Sequence, residues 1–271
     1  MNSFTFLAVD LDGTLVRNDH NVSDFTADTL IQAQEQGLKV AICTGRPTDG
    51  TRHIAKRIRM QDFGGYVIGY NGGEVIECQS GKVIRDLLLP SSVMRQALDF
   101  AEKAGADLVT FCDGHIISTS DTNPVVIRSS VRNKMDIVKA DNWMEAVEGL
   151  KLHKCMLVGE PDRLIPMEKE VKAAFAGVIE AFCSEPQFLE LSPLGVNKGE
   201  GLRWLLEYAA VDTTAVMSFG DTPSDIPMIR LAGRGVAMGN APQTVKDVAD
   251  AVALSNEEDG VARMLKKYVL T

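Results

Sequence analysis

A chain of 271 residues, 45% apolar and 24% charged, has room for about two domains and a sizeable core. Its formal net charge of −9 excludes a general affinity for nucleic acid or an anionic membrane surface, since both demand basic surface. A small anion bound in a locally positive pocket stays compatible with that charge.

The chain begins in an apolar strand with no basic leader segment, and no apolar stretch approaches the roughly 20 residues of a spanning helix. A cytoplasmic protein that engages no membrane is the expectation. The five cysteines, at 43, 78, 112, 155 and 183, are odd in number and never form CxxC, which reads as reduced thiols packed as small hydrophobes. The four histidines lack HxxxH or HExxH spacing, so no zinc site is expected.

Strand-like and helix-like segments alternate, which predicts an α/β fold on a parallel sheet. "FTFLAV" (4–9) is a first strand that runs into Asp10, Leu11, Asp12 and Gly13. "SDFTADTLIQAQEQG" (23–37) is a helix from an N-cap at Ser23 to Gly37. "LKVAIC" (38–43) is a second strand, stopping at "TGRP", and "RHIAKRIR" (52–59) is the solvated basic face of the next helix. "YVIGYNGG" (66–73) is a third strand and turn. From 83 to 192 the texture changes to strands and helices of their own, which predicts an inserted α/β domain between core segments 1–82 and 193–271. "NKGEGLRWLLEYAA" is then a helix, "AVMSFG" a strand, "TPSDIPMIRLAG" a helix, "RGVAMGNA" a strand and turn, and two helices close the chain.

Two acids one residue apart at a strand end are costly, because like charges resist ionising together and both resist desolvation. Where strand geometry persists, Asp10 and Asp12 project to one side, at the carboxyl end where open α/β sheets bind ligands. The pair makes sense if one acid grips a cation and attacks while the other handles a proton. Two acids at a surface turn are the bland alternative. A calcium loop is not: its glycine and glutamate places hold Leu15 and Asn21.

Three further places match the first. In "CTGR", Thr44 and the Gly45 N–H are apt phosphate donors, although four such residues alone would also make an ordinary turn. In "NKGEG", Lys198 occupies the first turn of a helix, where the dipole disfavours a cation and a nearby anion would explain it. In "FGDTPSDIPMI", Asp221 and Asp225 again follow a strand.

These four stretches resemble the four motifs of the haloacid dehalogenase superfamily, and the long insertion between the second and third resembles its Cof-type (IIB) sugar-phosphate phosphatases. "YNGG" (70–73), "GVAMGNA" (235–241) and "SNEEDGVA" (255–262) are similar to the same branch. The resemblance implies a Rossmann-like core with an α/β cap of the C2B type over 83–192, and a small phosphate-ester substrate. It implies Asp10 as nucleophile and Asp12 as general acid and base. Mg²⁺ would be held by Asp10, Asp12 and Asp221, with Asp225 behind them. Leu11, Thr44, Gly45, Lys198 and Ser224 would hold the phosphoryl group, and Arg46, Asn71 and Gly72 would line the substrate pocket. Ser224 stands where the branch usually has asparagine, so weakened or retuned catalysis is expected.

A same-superfamily phosphohexomutase and a non-catalytic phosphometabolite sensor are the rival readings. Asp12 favours complete turnover, because superfamily members that stop at the phospho-aspartate lack that second acid. In the cap, Arg128 and Arg132 lie four apart, either a solvated basic face or a grip on a second substrate group. The sequence assigns no oligomeric state.

Overall fold

The computed structural model describes residues 4–270. The apolar run opens as β1 (Phe6–Val9), buried at every position because it lies in the middle of a sheet. Helix α1 (Asp24–Glu35) starts at the expected cap: the Ser23 hydroxyl accepts from the Thr26 N–H at 3.0 Å. Strand β2 (Lys39–Cys43) runs parallel to β1, pairing Phe6 with Lys39 and Val9 with Ile42. The basic stretch after it forms α2 (Arg52–Arg57), followed by α3 (Met60–Phe63). Its exposed arginines pair locally, Arg57 with Asp24 at 2.6 Å and Arg59 with Asp62 at 2.7 Å, which suits a solvated face. Strand β3 (Tyr66–Gly69) extends the parallel set, but β4 (Glu74–Glu77) pairs antiparallel to β3, and β5 (Val83–Asp86) lies beside β4. The sheet is therefore mixed, not wholly parallel as expected. The turn at 70–73 folds the chain back directly, without the crossover helix that a parallel neighbour requires.

The chain divides into two compact units, 1–85 with 197–271, and 86–196. The predicted boundary at 83 falls at the start of β5, a strand of the first unit's sheet. The second unit runs α4 (Val93–Ala104), β6 (Asp107–Cys112), β7 (His115–Ser118), α5 (Pro124–Asn133), β8 (Asp136–Lys139) and α6 (Trp143–Ala146). It continues with β9 (Cys155–Val158), α7 (Pro161–Ala174), β10 (Ile179–Glu185) and β11 (Phe188–Pro193). Its six-stranded sheet has the order β10-β11-β9-β6-β7-β8, antiparallel except for β7 with β8. Leu108, Leu157, Leu164, Val171, Leu189 and Leu191 form the centre of its own core. Arg128 and Arg132 share α5 and both approach Glu185, at 3.8 and 3.7 Å. All five cysteines are free, and burial pushes the Cys155 thiol up to about 12, as inert packing thiols require.

The first unit resumes with α8 (Lys198–Tyr208), β12 (Val216–Gly220), α9 (Ile226–Leu231), β13 (Arg234–Ala237), α10 (Gln243–Lys246), β14 (Ala251–Val252) and α11 (Gly260–Tyr268). Its sheet order is β14-β13-β12-β1-β2-β3-β4-β5. Chain order runs outward from β1 to one side as β2 and β3, and to the other as β12, β13 and β14. That reversal places the carboxyl ends of β1, β2 and β12 around one crevice, the general location of ligand sites in such sheets.

Candidate active site

Asp10 follows β1 directly and its N–H donates to the Phe219 carbonyl of β12 at 3.0 Å. Its carboxylate is buried and accepts from Lys198 Nζ at 2.6 Å. The same ammonium donates to Asp225 Oδ1 at 2.6 Å. Lys198 is the first residue of α8, whose N-cap is the Asn197 side chain. Burial and the helix dipole both oppose a cation there, yet the Asp10 and Asp225 carboxylates outweigh them and raise its pKa. Lys198 is fully protonated at neutral pH.

Asp225 is entirely buried and saturated with donors. Besides Lys198 it accepts from the Asp221 N–H at 3.0 Å, the Thr222 N–H at 2.9 Å and the Thr222 hydroxyl at 2.9 Å. It therefore organises the loop after β12 and holds Lys198, and has little capacity left for a direct metal bond. Asp221 accepts from the Thr14 hydroxyl at 2.8 Å. Gly13 lies against it: a Cβ there would come within 2.4 Å of Asp221 Oδ2, and the backbone has φ +81°. Only glycine fits both demands.

Carboxylate oxygens of Asp10, Asp221 and Asp225 lie within 4.8 Å of one another. Burial pushes the Asp10 carboxyl well above its ordinary pKa and Asp225 adds to this, against Lys198. Burial likewise raises Asp221, opposed by the Thr14 hydroxyl and reinforced by Asp225. Three carboxylates against one ammonium leave two negative charges to neutralise, the charge of one divalent cation. Oxygen-only donors with open positions suit a hard ion such as Mg²⁺.

Asp12 does not share this cluster. Strand geometry ends at Val9, so the alternation rule no longer reaches it. Its two oxygens take the Arg46 guanidinium as a fork, Nε to Oδ2 at 2.8 Å and Nη2 to Oδ1 at 2.6 Å. His20 Nδ1 is 3.7 Å away. The Asp12 side chain is 31% exposed and that of Arg46 only 1%, so the acid faces the crevice and the arginine backs it. The resemblance implies Arg46 as part of the substrate-pocket lining; in the structure its guanidinium is the partner of Asp12.

Thr44 is buried at the end of β2; its hydroxyl accepts from the Arg46 N–H at 3.1 Å and its carbonyl from the Asn71 N–H at 2.9 Å. Gly45 packs beside the Asn71 amide, and Gly72, at φ +108°, leaves room for the Asn197 carbonyl. The 70–73 turn is thus the seat on which the N-terminus of α8 rests. Leu11 is buried, its carbonyl accepting from the N–H groups of Thr14, Leu15 and Val16 at 3.0–3.2 Å. Ser224 is exposed, and its hydroxyl pairs with that of Thr222 at 2.8 Å. Two contributors escaped the sequence reading: Thr14 as the prop of Asp221, and Arg46 as the partner of Asp12. The signal for Thr14 was its place directly behind the acid-glycine turn.

The model of one family, described as haloacid dehalogenase-like hydrolase, matches residues 7–265. The chain belongs to that family. A crystal structure of a haloacid dehalogenase-like hydrolase from Bacteroides thetaiotaomicron is 36% identical, with a TM-score of 0.95 over 97% of this chain and 99% of that one. A HAD subclass IIB sugar phosphatase is 25% identical, with a TM-score of 0.81 over 98% and 100% of the two chains. The phosphatase YitU of Bacillus subtilis, named for 5-amino-6-(5-phospho-D-ribitylamino)uracil, is 29% identical over 97% of this chain and 96% of its own. This haloacid dehalogenase-like hydrolase is a phosphoric monoester hydrolase. No helix among its described residues is long and apolar enough to cross a membrane.

Proposed function

We propose that the protein is a Mg²⁺-dependent phosphatase of small polyhydroxylated phosphate esters, sugar phosphates first, acting in the cytoplasm through an aspartyl-phosphate. The reading is carried by the buried triad in which Lys198 bridges Asp10 and Asp225 at 2.6 Å beside Asp221. The substrate class draws on the names of two relatives: one is a sugar phosphatase, and the other acts on a phosphorylated ribityl chain.

Mg²⁺ would be held by the Asp10 carboxylate, the Asp12 carbonyl and Asp221; it supplies charge neutralisation and polarises the phosphoryl oxygens. Lys198 fixes Asp10 Oδ1, leaving Oδ2 to form the bond to phosphorus as the bond to the leaving oxygen breaks. Asp12 gives its proton to that leaving oxygen. In the second half Asp12 takes a proton from water, which displaces Asp10 and releases inorganic phosphate. Thr44 and the Leu11 and Gly45 backbone hold the non-reacting oxygens together with Lys198. Arg46 fixes the orientation of Asp12, and the Asn71-Gly72 turn borders the leaving group. The unit 86–196 selects the leaving group, the cap role implied by the resemblance.

The test is phosphate release from p-nitrophenyl phosphate and a panel of phosphorylated sugars, with Asp10→Asn as blank. Turnover without a bisphosphate activator is expected; a requirement for that activator would favour the mutase, and no turnover above the blank would favour the sensor. Chelation with EDTA should abolish turnover, and saturating Mg²⁺ at neutral pH should raise the melting temperature, since an ion that binds only the folded state stabilises it. No change in either sinks the metal assignment.

Ser224→Asn is expected to raise kcat/KM. The longer amide restores a donor that the serine spends on Thr222, and one such donor is worth up to ~10²-fold. Unaltered kinetics would show that position 224 stays outside the phosphoryl site.

A further inference from the structure

Two stretches of the C-terminal segment, "GVAMGNA" and "SNEEDGVA", take no part in the chemistry assigned above. The structure brings both onto the loop that follows Asp12. Asn240 Nδ2 donates to the Gly13 carbonyl at 2.8 Å, and its Oδ1 accepts from the Asn256 N–H at 3.2 Å. The buried Asn256 side chain donates to the Val16 carbonyl at 3.0 Å. Glu257 accepts from the Asn18 N–H at 2.7 Å, and Arg17 donates to both oxygens of Asp259, at 2.9 and 2.8 Å. Ser23 and Thr26 also donate to Asp259, at 2.6 and 3.1 Å.

The gripping loops are stiff themselves. Ser255 and Glu258 form a capping box, Gly239 N–H donates to the Leu254 carbonyl at 3.2 Å, and Lys246 holds the Gly239 carbonyl at 2.7 Å. Residues 13–18 are thus fastened along their length by 240 and 256–259.

The Gly13-Thr14 peptide is the point of leverage. On one side Asn240 takes its carbonyl. On the other the Gly13 Cα lies flush against Asp221, and Thr14 donates to Asp221 Oδ1 at 2.8 Å. Turning this peptide would break the Asn240 hydrogen bond and shift the backbone that carries the Thr14 hydroxyl, loosening its hold on Asp221. From this arrangement we infer that Asn240 is a positioning residue for the cation-binding loop: it sets the Gly13-Thr14 peptide, and Thr14 transmits that setting to Asp221. Asn256 braces Asn240 through its N–H. The inference rests on the reading of Asp10, Asp12 and Asp221 as the cation site.

Asn240 is exposed, so Asn240→Ala leaves the fold intact, and the melting temperature of the metal-free variant should match wild type. Its Mg²⁺ dissociation constant by calorimetry should rise about 10-fold, the usual scale for residues that orient ligands. The deciding measurement is a double-mutant cycle with Thr14→Val. If Asn240 works through Thr14, the double variant binds Mg²⁺ no more weakly than Thr14→Val alone. An unchanged Mg²⁺ affinity in Asn240→Ala overturns the inference, as do additive losses in the cycle or a fall in metal-free melting temperature without loss of affinity. A wild-type protein that binds no Mg²⁺ overturns the underlying reading instead, so the two failures are told apart by the wild-type titration.

Discussion

Asp10→Asn is expected to abolish turnover while raising the melting temperature of the metal-free protein. The amide cannot form the mixed anhydride, and removing a nucleophile that works as part of a unit costs at least ~10⁴-fold in kcat. Stability should move the other way. Burial and the neighbouring Asp225 hold the Asp10 carboxyl well above its ordinary pKa, so its charge is a burden on the folded state before any cation binds. An isosteric amide removes that charge, and Asp225 still keeps Lys198 paired at 2.6 Å. Such opposition between stability and activity marks groups placed for chemistry. A variant that loses stability along with activity would identify Asp10 as a structural partner of Lys198, and residual turnover near the wild-type rate would remove it as nucleophile. Thermal melts and a phosphate-release assay on one preparation decide both.

Lys198→Met should have the second-largest effect, on stability and activity together. Methionine fills a similar volume but leaves Asp10 and Asp225 facing each other in a dry pocket, where both side chains are no more than 5% exposed. Breaking a buried ion pair by removing one partner costs about 3–5 kcal/mol. The cost should depend on pH. A carboxyl whose folded pKa is raised contributes stability below its unfolded value and loses that contribution as pH rises through the folded one. Metal-free Lys198→Met should therefore be most stable in mild acid and weaken progressively as pH rises from about 4, where an unperturbed aspartate titrates. Adding Asp10→Asn should flatten that profile and recover part of the loss. A destabilisation independent of pH, measured by denaturant titration across the range, would mean that packing and not charge dominates at position 198.

Asp10 and Asp221 stand out in the sequence because each follows an apolar strand where burial makes a charge expensive, and Lys198 because a helix dipole disfavours it. Asp225, an ordinary helix-start acid by itself, is legible only through its place in the motif with Asp221, and the structure brings all four together. Side chains that only support another residue, with no costly charge placement of their own, were not legible in this way. Arg46 lies 34 residues from Asp12, and its fork geometry follows only from how β2 is laid beside β1. Thr14 is separated by 207 residues from the acid that it supports. The fold shows the same division. Strand and helix periodicity displays the βαβ alternation, whereas the antiparallel β4 turns on Tyr70, Asn71 and Gly72 adopting positive φ, a local backbone choice that hydrophobic patterning does not record.

The central position of β1 has a consequence for biosynthesis. Its neighbour β12 and the lysine that meets Asp10 arrive late: the Lys198–Asp10 bond spans 188 positions. A nascent chain halted after residue 196 carries a segment, 86–196, that has its own core, but presents "FLAV" with one strand edge unclaimed and Asp10 without its ammonium. At the ribosome's pace of ~5–20 residues per second, that edge waits for seconds before it is covered. Catalytic competence and protection from aggregation are thus acquired in the same late event, the docking of the final stretch of polypeptide.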